Sequence, residues 1–335
     1  SLKFPWGMDF LPDDKILVTE KSGALKIVNL VGSGISAVSG LPEVSECGQG
    51  GLMDVTLHPN FNENKRVYLS FSKKTDGICG TEAVSAVLSD NQLTEMKPIF
   101  SALPKSSDHR HFGSRFLFTD SKTLFISLGD RGHRPNGQDL LTHPGSLIRV
   151  SDLGIPPDDN PFMNNAGALP EIFSYGHRNI QGLAYDKLKN IIWAVEHGPK
   201  GGCELNRIEA GKNYGWADIT YGKNYVSGTD IGEGTIRQDV EPPVYYWTPS
   251  NAPSGLAFYD SKLFPAWYGN LFVSSLTYEQ LSRLVIKDGK VEREEALLKD
   301  QYGRLRHVAV GPNGSLFVLT DHEKDGKILR ILPKD

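Results

Sequence analysis

What most constrains this chain is a repeated grammar of short apolar runs closed by turns. From Gly7, "GMDFLPDDKILVTEKSGALKIVNL" reads as a strand, a turn, a second strand ending in small and charged residues, and a third strand. The grammar returns from Leu52 ("LMDVTLHPNFNENKRVYLSFSK"), from Ser114 ("SRFLFTDSKTLFISLGDRG") and from Gly182 ("GLAYDKLKNIIWAVEHGP"). It returns twice more, from Gly255 ("GLAFYDSKLFPAWYGNLFVSSL") and from His307 ("HVAVGPNGSLFVLTD"). The 35 glycines and 20 prolines punctuate these runs and do not gather into a linker. No stretch sustains a helical period. Repeats of roughly 40–50 residues with several strands each indicate a β-propeller. Six units predict an all-β, six-bladed propeller of four-stranded antiparallel blades, with residues 1–335 forming one domain.

Composition narrows the function classes. A net charge of −4 over 335 residues gives no sign of nucleic-acid binding or of a polybasic membrane surface. No apolar run is long enough to span a bilayer, and no signal peptide opens the chain, which begins "SLKFPWG". Cys47, Cys79 and Cys203 form neither a zinc pattern nor a disulfide framework. A single Cys47–Cys79 bridge is open to the chain in an oxidising compartment.

In a propeller, loops leaving equivalent strands converge on one face, so residues distant in sequence can meet there. The stretch "SSDHRHFGSR" (106–115) crowds Asp108, His109, Arg110, His111 and Arg115 just ahead of the third unit. "YGHRNIQG" places His177, Arg178, Asn179 and Gln181 ahead of the fourth, "YGRLRH" places Arg304 and Arg306 ahead of the sixth, and "CGQGG" places Gln49 ahead of the second. If Arg178, Arg304 and Arg306 share a rim, they require a small polyanion. For one arginine alone a local ion pair is the plainer reading; three at equivalent positions favour a ligand. Asp130 ends "LFISLGD" in the same blade as His111, and a carboxylate holding an imidazole makes a general base. A turn aspartate beside a surface histidine stays the alternative. His109 and His177 read as residues that cap or pack loops. The Gly-rich segment "EHGPKGGCELNRIEAGKNYGW" offers backbone carbonyls and Glu204, the donors a hard cation such as Ca²⁺ prefers, or else is a plain connection between blades.

These motifs together resemble the soluble pyrroloquinoline quinone (PQQ) dependent glucose/sorbosone dehydrogenases, nearest to the aldose sugar dehydrogenase branch. The likeness runs in order through "PWGMDFLPDDKILVTEKSG", "GQGGLMDVTLHPNF", "HFGSR", "GQDL", "PPDDNPF", "YGHRNIQGLAYD", "EHGP", "NYGW", "PSGLAFY" and "RLRHVAVGPNGSLFVLTD". It implies a six-bladed propeller that oxidises aldoses, with His111 as the base, Asp130 orienting it, and Gln49 lining the sugar site. It implies that Arg178 and Asn179 hold PQQ, and that Arg304 and Arg306 bind its carboxylates. Gly198 and Pro199 match carbonyl donors to a Ca²⁺ that polarises PQQ, while Glu204 and the Tyr214 carbonyl match a second, structural Ca²⁺. Trp247, in "YYWTPSNAPSG", matches the sugar-contacting segment. Thr277 occupies the cofactor-contacting position where the family carries a lysine; Cys203, His307 and Ser146 also depart from its pattern. The resemblance implies a periplasmic or secreted protein whose signal peptide has been removed, a separate electron acceptor, and a monomer or homodimer. Two other readings compete: a non-catalytic propeller that has lost PQQ, which Thr277 favours, and a Ca²⁺-dependent lactonase, which would need carboxylates around one central metal.

Overall fold

The computed structural model of the protein describes residues 1–32 and 34–334. Six antiparallel sheets follow one another along the chain. Blade 1 holds β1–β4 (Pro5–Leu11, Lys15–Glu20, Ala24–Asn29, Ile35–Val38), and blade 2 holds β5–β8 (Leu52–Leu57, Arg66–Thr75, Ile78–Ser89, Gln92–Ser101). Blade 3 holds β9–β12 (Phe116–Phe118, Thr123–Ser127, Ser146–Ser151, Ile172–Tyr175), and blade 4 holds β13–β16 (Ile180–Asp186, Ile191–Glu196, Cys203–Ile208, Tyr245–Trp247). Blade 5 holds β17–β20 (Pro253–Phe258, Leu271–Ser275, Leu281–Lys287, Lys290–Leu297), and blade 6 holds β21–β23 (Leu305–Val310, Leu316–Thr320, Ile328–Ile331). Five blades are four-stranded; the sixth has three strands among the described residues. The N-terminal segment lies against that blade, with Leu2 paired to Gly326 and the Phe4 amide donating to the His322 carbonyl.

The first strand of each blade packs against its counterparts on either side, so β1, β5, β9, β13, β17 and β21 ring a central channel. Hydrophobic clusters fill the six seams between neighbouring blades, from Leu17 with Leu52 and Leu69 between blades 1 and 2 to Val18 with Phe317 and Leu319 between blades 6 and 1. This explains why second strands read as unbroken apolar runs. Every residue of "IIWAVE" in β14 and of "LFVLT" in β22 is buried, because both faces of the sheet meet a neighbouring blade. Among the described residues helix is limited to one turn at Phe61–Asn64 and two 3₁₀ turns.

Because neighbouring strands are antiparallel, the residues leading into a first strand and those leaving the second lie at the same end of the blade. The upper mouth of the channel is therefore built from two short positions per blade. Cys47 and Cys79 form a disulfide under this mouth, packed with Trp6, Met53 and Phe112. Closing that loop stabilises the fold by about 3–4 kcal/mol on chain-entropy grounds.

Candidate active site

Arg115 forms the floor of the upper mouth. Its guanidinium donates to the carbonyls of Trp6, Gln181, Ser254 and Arg306 and to Asp54 Oδ1. Those partners belong to blades 1, 4, 5, 6 and 2, so one side chain from blade 3 ties the whole ring together, with all five N–H donors used. Burial lowers the Arg115 pKa to about 10 and raises that of Asp54, and their mutual attraction offsets part of each cost.

Above this floor lies a cavity of about 340 Å³, lined by Gln49, Asn179, Gln181, His197, Arg304, Arg306 and Asp321, among others. His111 leads into β9 and Asp130 leaves β10, and the two meet: His111 Nδ1 lies 2.5 Å from Asp130 Oδ1. The second oxygen of Asp130 accepts the Trp216 indole N–H at 2.7 Å, and Oδ1 also accepts the Gly132 amide at 2.8 Å. Burial depresses the His111 pKa, against the bond to Asp130 and with the help of the Arg178 charge. Burial alone would raise Asp130, but the bond to His111 and the Arg178 charge bring it below the usual carboxylate range. Both shifts describe one state at neutral pH, an ionised carboxylate beside a neutral imidazole. Among the described residues, no protein group bonds His111 Nε2.

The crowded stretch 106–115 thus splits into distinct tasks. His111 carries the imidazole, and its amide donates to Gln49 Oε1 at 2.9 Å. Arg131, stacked on Phe112, donates to the carbonyls of Asp108 and Arg110 and pins the segment. Asp108 and Arg110 pair with one another at the surface. His109 is exposed and contributes its carbonyl to the Gln49 amide. Gly129 has to be small: a Cβ there would fall 2.3 Å from the His111 carbonyl oxygen.

Arg178, leading into blade 4, donates to the carbonyls of His197 and Gly198 at the end of β14 in the same blade, leaving Nε unpartnered. Its amide is held by Glu196, which also binds His177; that imidazole is buried and stacks on Tyr214. Asn179 accepts the Gly113 amide. Arg304 and Arg306 do form a local ion pair, both with Asp321 at 3.0 Å. One carboxylate is shared between two guanidiniums, and Arg306 Nε has no partner. With Lys21 also on the wall, the cavity holds more positive than negative charge.

Glu204 and Tyr214 line a second, tight cavity of about 10 Å³ together with Gly198 and Glu196. Burial and the neighbouring Glu196 charge raise the Glu204 pKa well above the ordinary carboxylate value. Among the described residues no three His, Cys, Asp or Glu side chains converge as a metal cluster, so a cation here would rest on carbonyls as well as Glu204. Pro199 is buried beside this cavity and packs on Gly222.

Two sequence expectations change. Trp247 does not reach the upper cavity; it is 4% exposed in the seam between blades 4 and 5, and its indole donates to Glu294. As a residue of β16, the outer strand of blade 4, it lies far from the channel. Thr277 is exposed, held by its amide to the Asn251 carbonyl, and its neighbour Leu276 lines the cavity instead. Sequence reasoning also missed Asp321, Glu196, Arg131 and Trp216. Asp321 was within reach, because it leaves β22 as Asp130 leaves β10.

The glucose/sorbosone dehydrogenase family profile matches residues 2–330. The chain is 43% identical over 342 residues to aldose sugar dehydrogenase YliI of Escherichia coli strain K12, covering 100% of this chain and 91% of that protein. The crystal structure of the soluble aldose sugar dehydrogenase from Escherichia coli in its apo form superposes with a TM-score of 0.95 at 42% identity, over 99% of this chain and 97% of that one. The PQQ-bound form of the aldose sugar dehydrogenase from Streptomyces coelicolor superposes with a TM-score of 0.83 at 28% identity, over 98% and 94%.

Proposed function

The chain belongs to the glucose/sorbosone dehydrogenase family, and from that premise we propose that it oxidises aldoses at the anomeric carbon to lactones, with PQQ as cofactor. The observation that carries this reading is the buried His111–Asp130 pair beside a cation-rich cavity. When bound, PQQ supplies a two-electron acceptor for the hydride. The residues present fit it: Arg178, Arg304 and Arg306 offer forked donors to a small polycarboxylate, and the unpartnered Nε atoms of Arg178 and Arg306 mark donors left over for a ligand. Asn179 braces that wall.

The chain's own part is proton transfer and alignment. Neutral His111 takes the proton of the anomeric hydroxyl at Nε2, and Asp130 stabilises the imidazolium that results. Gln49, bonded to the His111 amide, presents its remaining amide group to the sugar. Arg178 is available to stabilise negative charge that develops during oxidation. Ca²⁺ would be held by the Gly198 and Pro199 carbonyls, and a second ion by Glu204 with the Tyr214 carbonyl; a cation there would neutralise the Glu204–Glu196 repulsion. No helix among the described residues is long and apolar enough to cross a membrane. The Cys47–Cys79 disulfide supports a periplasmic or secreted setting. A separate partner would take the electrons.

The test is a titration of the protein with PQQ and Ca²⁺, followed by an aldose and a dye acceptor. The parent should bind PQQ saturably and reduce the dye, while His111→Asn should keep binding and lose about 10²–10⁴-fold in turnover. Parent-rate oxidation by His111→Asn would remove the base assignment. No PQQ binding by the parent would favour a non-catalytic propeller.

A further inference from the structure

Trp216 comes from the long excursion 209–244 between β15 and β16, and it buries its indole against the dyad of another blade. Its Nε1–H is the sole protein donor to Asp130 Oδ2 among the described residues. The other oxygen of the carboxylate is already taken by His111 and Gly132. The tryptophan is itself held on both sides. Its amide donates to the Gly176 carbonyl, and its carbonyl accepts Gln138 Nε2 at 2.7 Å. Gly137 lies so close that a Cβ there would come within 2.2 Å of the Trp216 carbonyl oxygen. The Arg178 guanidinium lies 5.3 Å from the indole ring.

We propose that Trp216 is a positioning residue of the oxidation, acting on His111 through Asp130. This rests on His111 being the base, as proposed above. An indole only donates, so it bonds an ionised carboxylate and has nothing to accept from a protonated one. Its apolar body also keeps water from Oδ2. Both effects hold Asp130 as an anion in one plane, with Oδ1 aimed at His111 Nδ1. The imidazole is thereby kept in a fixed tautomer and orientation, with Nε2, which no described protein group bonds, on the side of the ring away from Asp130. Deleting the donor would concentrate charge on the carboxylate and admit water, and both changes favour the imidazolium. The other charged or titratable groups near His111 are Arg178, Arg110 and His197, and the substitution leaves all three in place.

The experiment is an NMR titration of histidine-labelled intact chain, with His111→Asn identifying the His111 resonance. In Trp216→Phe the His111 midpoint should rise by about half a pH unit or more. Turnover should fall roughly ten-fold or more with little change in KM for the sugar. In the unsubstituted protein, the Trp216 Nε1–H resonance should follow the same titration curve as His111, a readout that does not depend on the variant folding. A folded Trp216→Phe with an unmoved His111 midpoint, or an indole proton blind to that titration, would overturn the proposal. Failure of the base assignment would look different: His111→Asn would oxidise sugar normally, while in the unsubstituted protein the His111 and Trp216 resonances still titrated together.

Discussion

The two ends of the channel enclose nearly equal spaces, about 340 Å³ above the Arg115 floor and about 350 Å³ below it, yet they are chemically unlike. The lower space is walled by the second halves of the first strands, including Met8, Val55, Leu183, Leu256 and Val308. Its carboxylates are already committed. Asp9 accepts the amides of Leu57 and Phe10 and the Thr56 hydroxyl, and Asp54 serves Arg115 and the Phe116 amide. Among the described residues, His307 Nδ1 is the one buried side-chain atom left without a partner there. The upper space is lined by Lys21, Arg304 and Arg306 against the single carboxylate of Asp321, and Arg306 keeps an unpartnered Nε. Volume does not separate a site from a void; unspent hydrogen-bonding capacity does.

The sharpest way to break this contrast is to remove the floor. Arg115→Leu leaves Asp54 buried without its cation and should cost about 3–5 kcal/mol of stability, read as a fall in urea midpoint. A variant of parent stability would mean that the ring does not depend on its hub. Next comes ligand capacity. Arg306→Gln should weaken PQQ binding by about 10–150-fold, the loss of a charge-assisted bond, whereas His307→Gln one residue below should leave binding unchanged. Equal effects from both would erase the distinction between the two ends.

Protonation offers a further test. Folded His197 is depressed from 6.5 to about 3, chiefly by burial, and His111 is depressed as well. The unfolded chain takes up these protons near pH 6.5 and the folded chain refuses them, so their contribution to stability is present above 6.5 and lost as pH falls towards 3. The thermal midpoint should drop across that window. The acid limb of sugar oxidation should likewise lie below 6.5, because His111 stays neutral beyond the ordinary imidazole range. The smallest effect belongs to the lower end. Thr56→Val removes one bond to Asp9, whose pKa burial has raised to about 6, and should cost about 1 kcal/mol with no change in turnover.

Much of the architecture was legible from turn spacing, because each blade is a local meander whose strands announce themselves by apolar runs between Gly, Asp and Pro. The third strand of blade 4 is followed at once by the excursion 209–244, which hides β16 from such a reading. Within the site, His111 and Asp130 were readable because both lie in one blade at the two positions that share an end. Trp216 was not, since nothing local connects an indole in that excursion to a carboxylate 86 positions earlier. Trp247 misled for the complementary reason: an aromatic residue near a functional motif looks the same whether it faces a cavity or a seam.

Blade number and antiparallel strand order were therefore properties of the sequence itself, because they follow from apolar runs and short turns acting within a few tens of residues. Closure of the ring decided the rest. Only when six blades meet do five acceptors from the other blades converge on Arg115 and does Trp216 come to rest on Asp130. Each of these contacts joins residues from different blades, and no local propensity encodes a partner that arrives by the curvature of the whole ring.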